Sequence, residues 1–204
     1  MPKSLAINVA LLPPDDVMKK CREINARLWQ KTKQGFRLDE THLPHISLVQ
    51  QYIAAASLAN VCSAIEQEIR NRPPLILHVF EIHPHTLEDG LVISGLNITP
   101  TPEIVNLHER LTRTAASYIT EGDQSSFYGF EAEPIRAGSI QWTRDYPQKK
   151  TYNPHLTLGV GVSTDIEVPF TFTASRLAVC HIGNFNTCRK ILKEWRFQTT
   201  PTSG

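Results

Sequence analysis

One five-residue phrase occurs twice in this chain, as Pro44-His45-Ile46-Ser47-Leu48 and as Pro154-His155-Leu156-Thr157-Leu158. Proline cannot donate to a β-ladder, and the residues after it alternate polar with apolar, which is the pattern of a strand that starts at an edge. Side chains two apart on a strand share a face, so His45 lies beside Ser47 and His155 beside Thr157. Ile46, Leu48, Leu156 and Leu158 then point into a core and pin the register. A helix precedes each copy. The predicted architecture is therefore α+β: a pseudo-symmetric body of two lobes with antiparallel sheets and helices packed outside.

The rest of the chain fits that plan. Strands are predicted over 4–12, 45–53, 75–83, 90–98, 155–162, 175–182 and 188–197, with turn signals at Glu88-Asp89-Gly90 and Gly183-Asn184. Helical spacing of apolar residues marks three helices. They run over 15–33 (Val17, Cys21, Ile24, Leu28), from Leu58 to the residues before Pro73-Pro74, and over 102–120 (Ile104, Leu107, Leu111, Ala115). Residues 121–150 are irregular and polar, predicting a long loop with one strand near 136–142, a candidate lid or substrate wall. One two-lobed domain is expected over residues 1–198, with a polar tail from 199 to 204.

With 21 basic against 20 acidic residues the formal charge is +1, so any anionic ligand must meet a local cluster rather than a global field. The apolar run at the start stops at Pro13-Pro14, too short for a signal peptide or a membrane span, which predicts a cytoplasmic protein with no membrane association. The four cysteines form no CxxC pair. Cys21 and Cys62 read as core thiols, while Cys180 and Cys188 flank a turn and leave a cross-hairpin disulfide as a minor alternative.

The doubled phrase carries the chemistry. In-line displacement at phosphorus needs a base for the nucleophile and an acid for the leaving oxygen, and histidine serves either role near neutrality. The hydroxyls of Ser47 and Thr157 are suited to donate to phosphoryl oxygens as charge grows there. Of the eight histidines only His45 and His155 are followed two residues later by a hydroxyl residue. Neither a metal nor a cofactor is needed by this set. The sequence holds no P-loop, GxSxG elbow, HExxH or GxGxxG, which removes support for the corresponding nucleotide-hydrolysing, serine-hydrolase, zincin and dinucleotide-binding classes.

The segments "HISL" and "HLTL" match the His-x-Thr/Ser-x signature of the two-histidine (2H) phosphoesterases, and most of the chain resembles their LigT-like group. These are RNA 2',3'-cyclic phosphodiesterases, also called 2'-5' RNA ligases. The resemblance implies a bilobal fold with two antiparallel sheets and the two motifs lining a central cleft, metal-independent hydrolysis, and an RNA terminus or nucleotide as substrate. Ser47 stands where threonine is commoner, and residues 121–150 lengthen the stretch between motifs. The expected catalytic set is His45, His155, Ser47 and Thr157. Gln51, Tyr52, Lys150 and Tyr152, next to the motifs, are candidate substrate contacts, with Gln51 expected on the His45 face and Tyr52 off it unless the strand bends. His78, His83 and His85 mark no complete metal set and read as a solvated edge. Activity on 2'-5'-linked oligonucleotides or another cyclic nucleotide, and a non-catalytic RNA-binding module, remain alternatives. A monomer with no obligate protein partner is expected.

Overall fold

Alternation in β1 (Ser4–Leu12) sends Ile7, Val9 and Leu11 into one buried cluster and Ala6, Ala10 and Leu12 into another, so this strand is covered on both faces. The computed structural model describes residues 3–87, 89–164 and 166–198. Glu88 of the predicted turn and the predicted tail lie outside the described residues.

The other strands are β2 (Ile46–Ala54), β3 (Leu75–Thr86), β4 (Val92–Ile98), β5 (His155–Val160), β6 (Phe170–Ala174), β7 (Arg176–Ile182) and β8 (Cys188–Arg196). Their order is β6-β3-β4-β5-β2-β1-β7-β8, with antiparallel pairing throughout. The two expected sheets thus exist as two four-stranded halves, joined edge to edge where β2 meets β5. That seam holds a single paired position, Ile46 opposite Leu156.

Helices α1 (Asp15–Thr32), α2 (Leu58–Ile69) and α3 (Pro102–Ala116) cover one face of the sheet and close the main core with Ile24, Leu28, Ile65, Leu107 and Leu111. Each flanking helix crosses the seam: α1, which follows β1, packs behind β5, and α3, which follows β4, packs behind β2. Among the described residues no helix is long and apolar enough to cross a membrane.

Two departures from expectation bear on the site. The predicted strand near 136–142 is a helix, α4 (Ala137–Asp145). Its buried face is polar: Ser139 and Thr143 are buried, and Gln50 on β2 donates from Nε2 to the Thr143 hydroxyl at 2.8 Å. A polar buried face hides the helical period from hydropathy. Strand β6 was not anticipated at all. It pairs with β3 from Leu75–Ala174 to Val79–Phe170.

Candidate active site

The seam brings the doubled phrase together. Around the Ile46–Leu156 pair, antiparallel register sets His45 against Thr157 and Ser47 against His155. Ile46 and Leu156 are buried toward the helices, so all four polar side chains share the opposite face, where each is partly exposed. Residues 44–50 and 154–160 repeat the same burial sequence position by position, as a local two-fold through the seam requires. Ideal strand spacing puts the Cα atoms of the two histidines about 8 Å apart on the diagonal.

Both imidazoles are held alike. His45 Nδ1 lies 2.9 Å from the Leu43 carbonyl, and His155 Nδ1 lies 2.9 Å from the Asn153 carbonyl. A carbonyl only accepts, so each Nδ1 carries the proton and donates, which leaves Nε2 as the basic nitrogen of each neutral ring. The Leu43 N–H donates in turn to the Cys188 carbonyl at 2.9 Å, tying the segment before His45 to β8. Burial pushes His45 down to about 4; the Leu43 carbonyl opposes this and the nearby His155 adds to it. His155 is also lowered, by burial, against the pull of the Asn153 carbonyl and with a further push from His85.

A bulge follows each hydroxyl residue. On β2, Ala10 pairs with Ser47 and Val9 with Val49, leaving Leu48 extra; on β5, Gly95 pairs with Thr157 and Ser94 with Gly159, leaving Leu158 extra. Carbonyls freed there need other donors. His108 of α3 donates from Nδ1 to the Leu48 carbonyl at 2.6 Å, and Asn25 of α1 donates from Nδ2 to the Leu158 carbonyl at 2.9 Å. Gly159, at φ +146°, leaves room for that amide: a Cβ there would stand 2.7 Å from Asn25 Nδ2. The leucine of the five-residue phrase is thus the bulged residue in both copies.

A sequence model of the 2'-5' RNA ligase superfamily matches residues 13–179, spanning both motifs. The chain belongs to this superfamily. Its fold resembles that of TT0787 from Thermus thermophilus, with a TM-score of 0.62, 12% identity, and coverage of 95% of this chain and 98% of that one. It also resembles E. coli LigT complexed with phosphate (TM-score 0.57, 13% identity, 97% and 100% covered). The match to E. coli LigT complexed with 3'-AMP is alike (TM-score 0.56, 15% identity, 96% and 99% covered). No curated protein matches the sequence.

In this two-histidine phosphoesterase the candidate substrate contacts divide. The bulge at Leu48 reverses the alternation expected for β2, so Gln51 turns to the helix face, buried, with Nε2 donating to the Ala115 carbonyl at 2.8 Å. Gln50 and Tyr52 take the motif face instead. Tyr52 is nonetheless covered: it donates to the Ile140 carbonyl of α4 at 3.1 Å and meets Phe127 edge-on at 5.9 Å. Neither Gln51 nor Tyr52 is open to a ligand. Tyr152 fills the seam where β2 and β5 diverge, donating to the Ser47 carbonyl at 3.0 Å and stacking on His108 at 3.9 Å. Tyr146 donates to the same carbonyl at 3.4 Å. Tyr152 therefore supports the first motif from beside it, and burial raises its phenol well above the usual range. Lys150 is exposed on the loop before β5.

Two residues beside the motifs escaped the sequence reading. Asn8 on β1 is buried and donates from Nδ2 to Ser47 Oγ at 2.6 Å, while its own Oδ1 has no hydrogen-bond partner. His85, read as part of a solvated edge, lies within electrostatic reach of His155. Among the described residues no group of three or more His, Cys, Asp or Glu side chains is placed to hold a metal ion. Cys180 and Cys188 are buried free thiols. Residues 124–146 cover the motif face of the β1-β2-β7-β8 half through Phe127, Ile135 and Ile140. Arg136 at the start of α4 reaches across to Asp89 between β3 and β4, with its guanidinium 4.4 Å from the Phe185 ring centroid.

Proposed function

We propose that this 2H phosphoesterase is a metal-independent phosphodiesterase that opens 2',3'-cyclic phosphate at an RNA end or on a nucleotide, leaving a 2'-phosphomonoester. The observation that carries this is the two-fold arrangement at the seam: two imidazoles with Nδ1 fixed on backbone carbonyls, which leaves Nε2 as the nitrogen that can take or give a proton, each beside a hydroxyl on one face. His45, held neutral by burial, takes a proton from water as it attacks phosphorus. His155 in its protonated form gives a proton to O3' as the P–O3' bond breaks, and exchange with solvent resets both rings. Ser47 and Thr157 donate to the non-bridging oxygens. That LigT has been crystallised with phosphate and with 3'-AMP supports a nucleotide phosphate as ligand.

The superfamily's name, 2'-5' RNA ligase, supports a second reading on the same residues, a phosphodiesterase acting on 2'-5'-linked oligonucleotides by the reverse of such a joining. We further propose that the chain acts as a cytoplasmic monomer, as one two-lobed body over residues 1–198. The test is hydrolysis, with EDTA present, of nucleoside 2',3'-cyclic phosphates and of a short RNA ending in one. His45→Ala and His155→Ala should each cost on the order of 10² to 10⁴ in rate. Full activity in either variant would refute the assignment, and product only from 2'-5'-linked oligonucleotides would select the second reading.

A further inference from the structure

The two halves of the sheet differ on the motif face. One half lies under residues 124–146; the other, β6-β3-β4-β5, has its motif face uncovered. Its helix face is ordinary core, with Leu75, Leu77 and Val79 of β3 buried against Phe172 and Ala174 of β6. Their neighbours Ile76 (59% exposed) and Phe80 (51% exposed) therefore point to the motif side and stand in solvent. His78 lies between them, hydrogen-bonded through Nδ1 to the Thr171 hydroxyl at 3.0 Å. This surface is continuous with the motif: His155 pairs with Asn97, and Asn97 with Glu81, beside which Phe80 is the bulged residue. Two strand spacings put Phe80 about 10 Å from His155, and Ile76 lies roughly 13 Å further along β3.

We propose that this face is a track for the single-stranded RNA leading to the reacting phosphate, with an upstream base stacked on Phe80 and the next nucleotides running over His78 and Ile76. The inference rests on the phosphodiesterase reading and names its substrate class as an oligonucleotide end rather than a free cyclic nucleotide. An open sheet presenting an aromatic ring among hydroxyl, amide and imidazole groups is the surface on which unpaired bases stack and find hydrogen bonds. A mononucleotide held at His155 does not extend as far as Ile76. The one carboxylate within strands β3 to β6, Glu81, accepts from Asn97 Nδ2 at 3.1 Å and lies 3.8 Å from His83 Nδ1, so its charge is partly engaged.

The experiment compares kcat/KM for a nucleoside 2',3'-cyclic phosphate with that for a four-nucleotide RNA ending in the same group, in wild type, Phe80→Ala and Phe80→Trp. Wild type should prefer the RNA by at least about fivefold, the alanine variant should lose that preference while keeping its rate on the mononucleotide, and tryptophan should restore it. Equal use of both substrates by wild type, or a preference untouched by Phe80→Ala, overturns the track. Turnover of neither substrate would count against the phosphodiesterase reading instead. In that case fluorescence anisotropy with a labelled tetranucleotide ending in a 2'-phosphate still decides: weaker binding by Phe80→Ala supports the track, and equal binding overturns it. A wild-type dimer that Phe80→Ala dissociates would give the face to a second copy and overturn the proposal.

Discussion

Replacing Asn8 by leucine should separate stability from activity. The Asn8 amide makes one side-chain hydrogen bond, to Ser47 Oγ, and buries an acceptor, Oδ1, that has no partner. Deleting the bond costs about 1 kcal/mol, while removing the orphan acceptor returns about 1–3 kcal/mol of desolvation penalty. Leucine copies the branching of asparagine and joins Ala6 and Ala10 on that face of β1, though its methyls are larger than the amide oxygen and nitrogen and take back part of that gain. Unfolding stability should thus stay the same or rise by up to about 2 kcal/mol, read as a shift in urea midpoint at constant m. Activity should move the other way. Loss of a transition-state donor costs about 10² to 10³ in kcat. Here the Ser47 hydroxyl remains but loses the group that orients it, so a drop of roughly tenfold is expected. Ser47→Ala should show the full loss, and on that background Asn8→Leu should add almost nothing, because the two act through one bond. Full kcat in Asn8→Leu, or an equal further drop in the Ser47→Ala background, would refute this account of Asn8.

Other outcomes follow from the same geometry. In free enzyme kcat/KM should fall at acid pH as His45 protonates near 4 and at higher pH as His155 loses its proton below 6.5, giving an optimum under pH 6.5; an optimum above 8 would contradict the roles assigned. The folded-state value of His45 lies below its unfolded value of about 6.5, so its contribution to stability is complete above that pH and is lost as pH falls toward 4. His45→Gln should therefore lose less stability than wild type between pH 7 and pH 4.5 in urea titrations. Tyr152→Phe strips the 3.0 Å donor from the Ser47 carbonyl and leaves the longer one from Tyr146, which should cost about 1–2 kcal/mol of stability and lower kcat more than it raises KM. Gly159→Ala drives a methyl against Asn25 Nδ2 at a φ that disfavours side chains, and should destabilise by about 1–3 kcal/mol in thermal unfolding.

The sequence shows the motif strands because their alternation is strict where it matters: Ile46 and Leu156 are buried and the histidines beside them are not. The helices α1, α2 and α3 were legible for the same reason, each laying aliphatic residues at helical spacing on one core. Where a buried face is polar, the signal fails. Helix α4 packs Ser139 and Thr143 inward, and its hydrogen bonds to β2 replace the apolar stripe that would have announced it. Strand β6 did carry a signal, the alternation Phe170-Thr171-Phe172-Thr173, but in a five-residue strand beside a proline it is short enough to read as loop. Asn8 had none: one polar residue in an apolar strand shows its purpose only when Ser47 is set against it.

The bulges explain why the repeated phrase is five residues long rather than three. A histidine and a hydroxyl two apart need only a strand, and such pairs occur without function. The added leucine sits where each ladder slips by one residue, and the freed carbonyl is taken by a helix from across the seam, His108 of α3 for Leu48 and Asn25 of α1 for Leu158. The same slip turns Gln51 away from the motif face and brings Gln50 under α4, so continuing the alternation of His45 and Ser47 down the strand names the wrong neighbour. Register past a bulge depends on a partner strand that the local sequence does not contain. The two motifs are alike because the same local geometry is built twice, while the surfaces beyond them differ because α4 and its flanking loop cover only one half. The two halves thus offer different neighbours to the seam, α4 and its flanking loop on one side and an open strand face with the exposed Phe80 on the other.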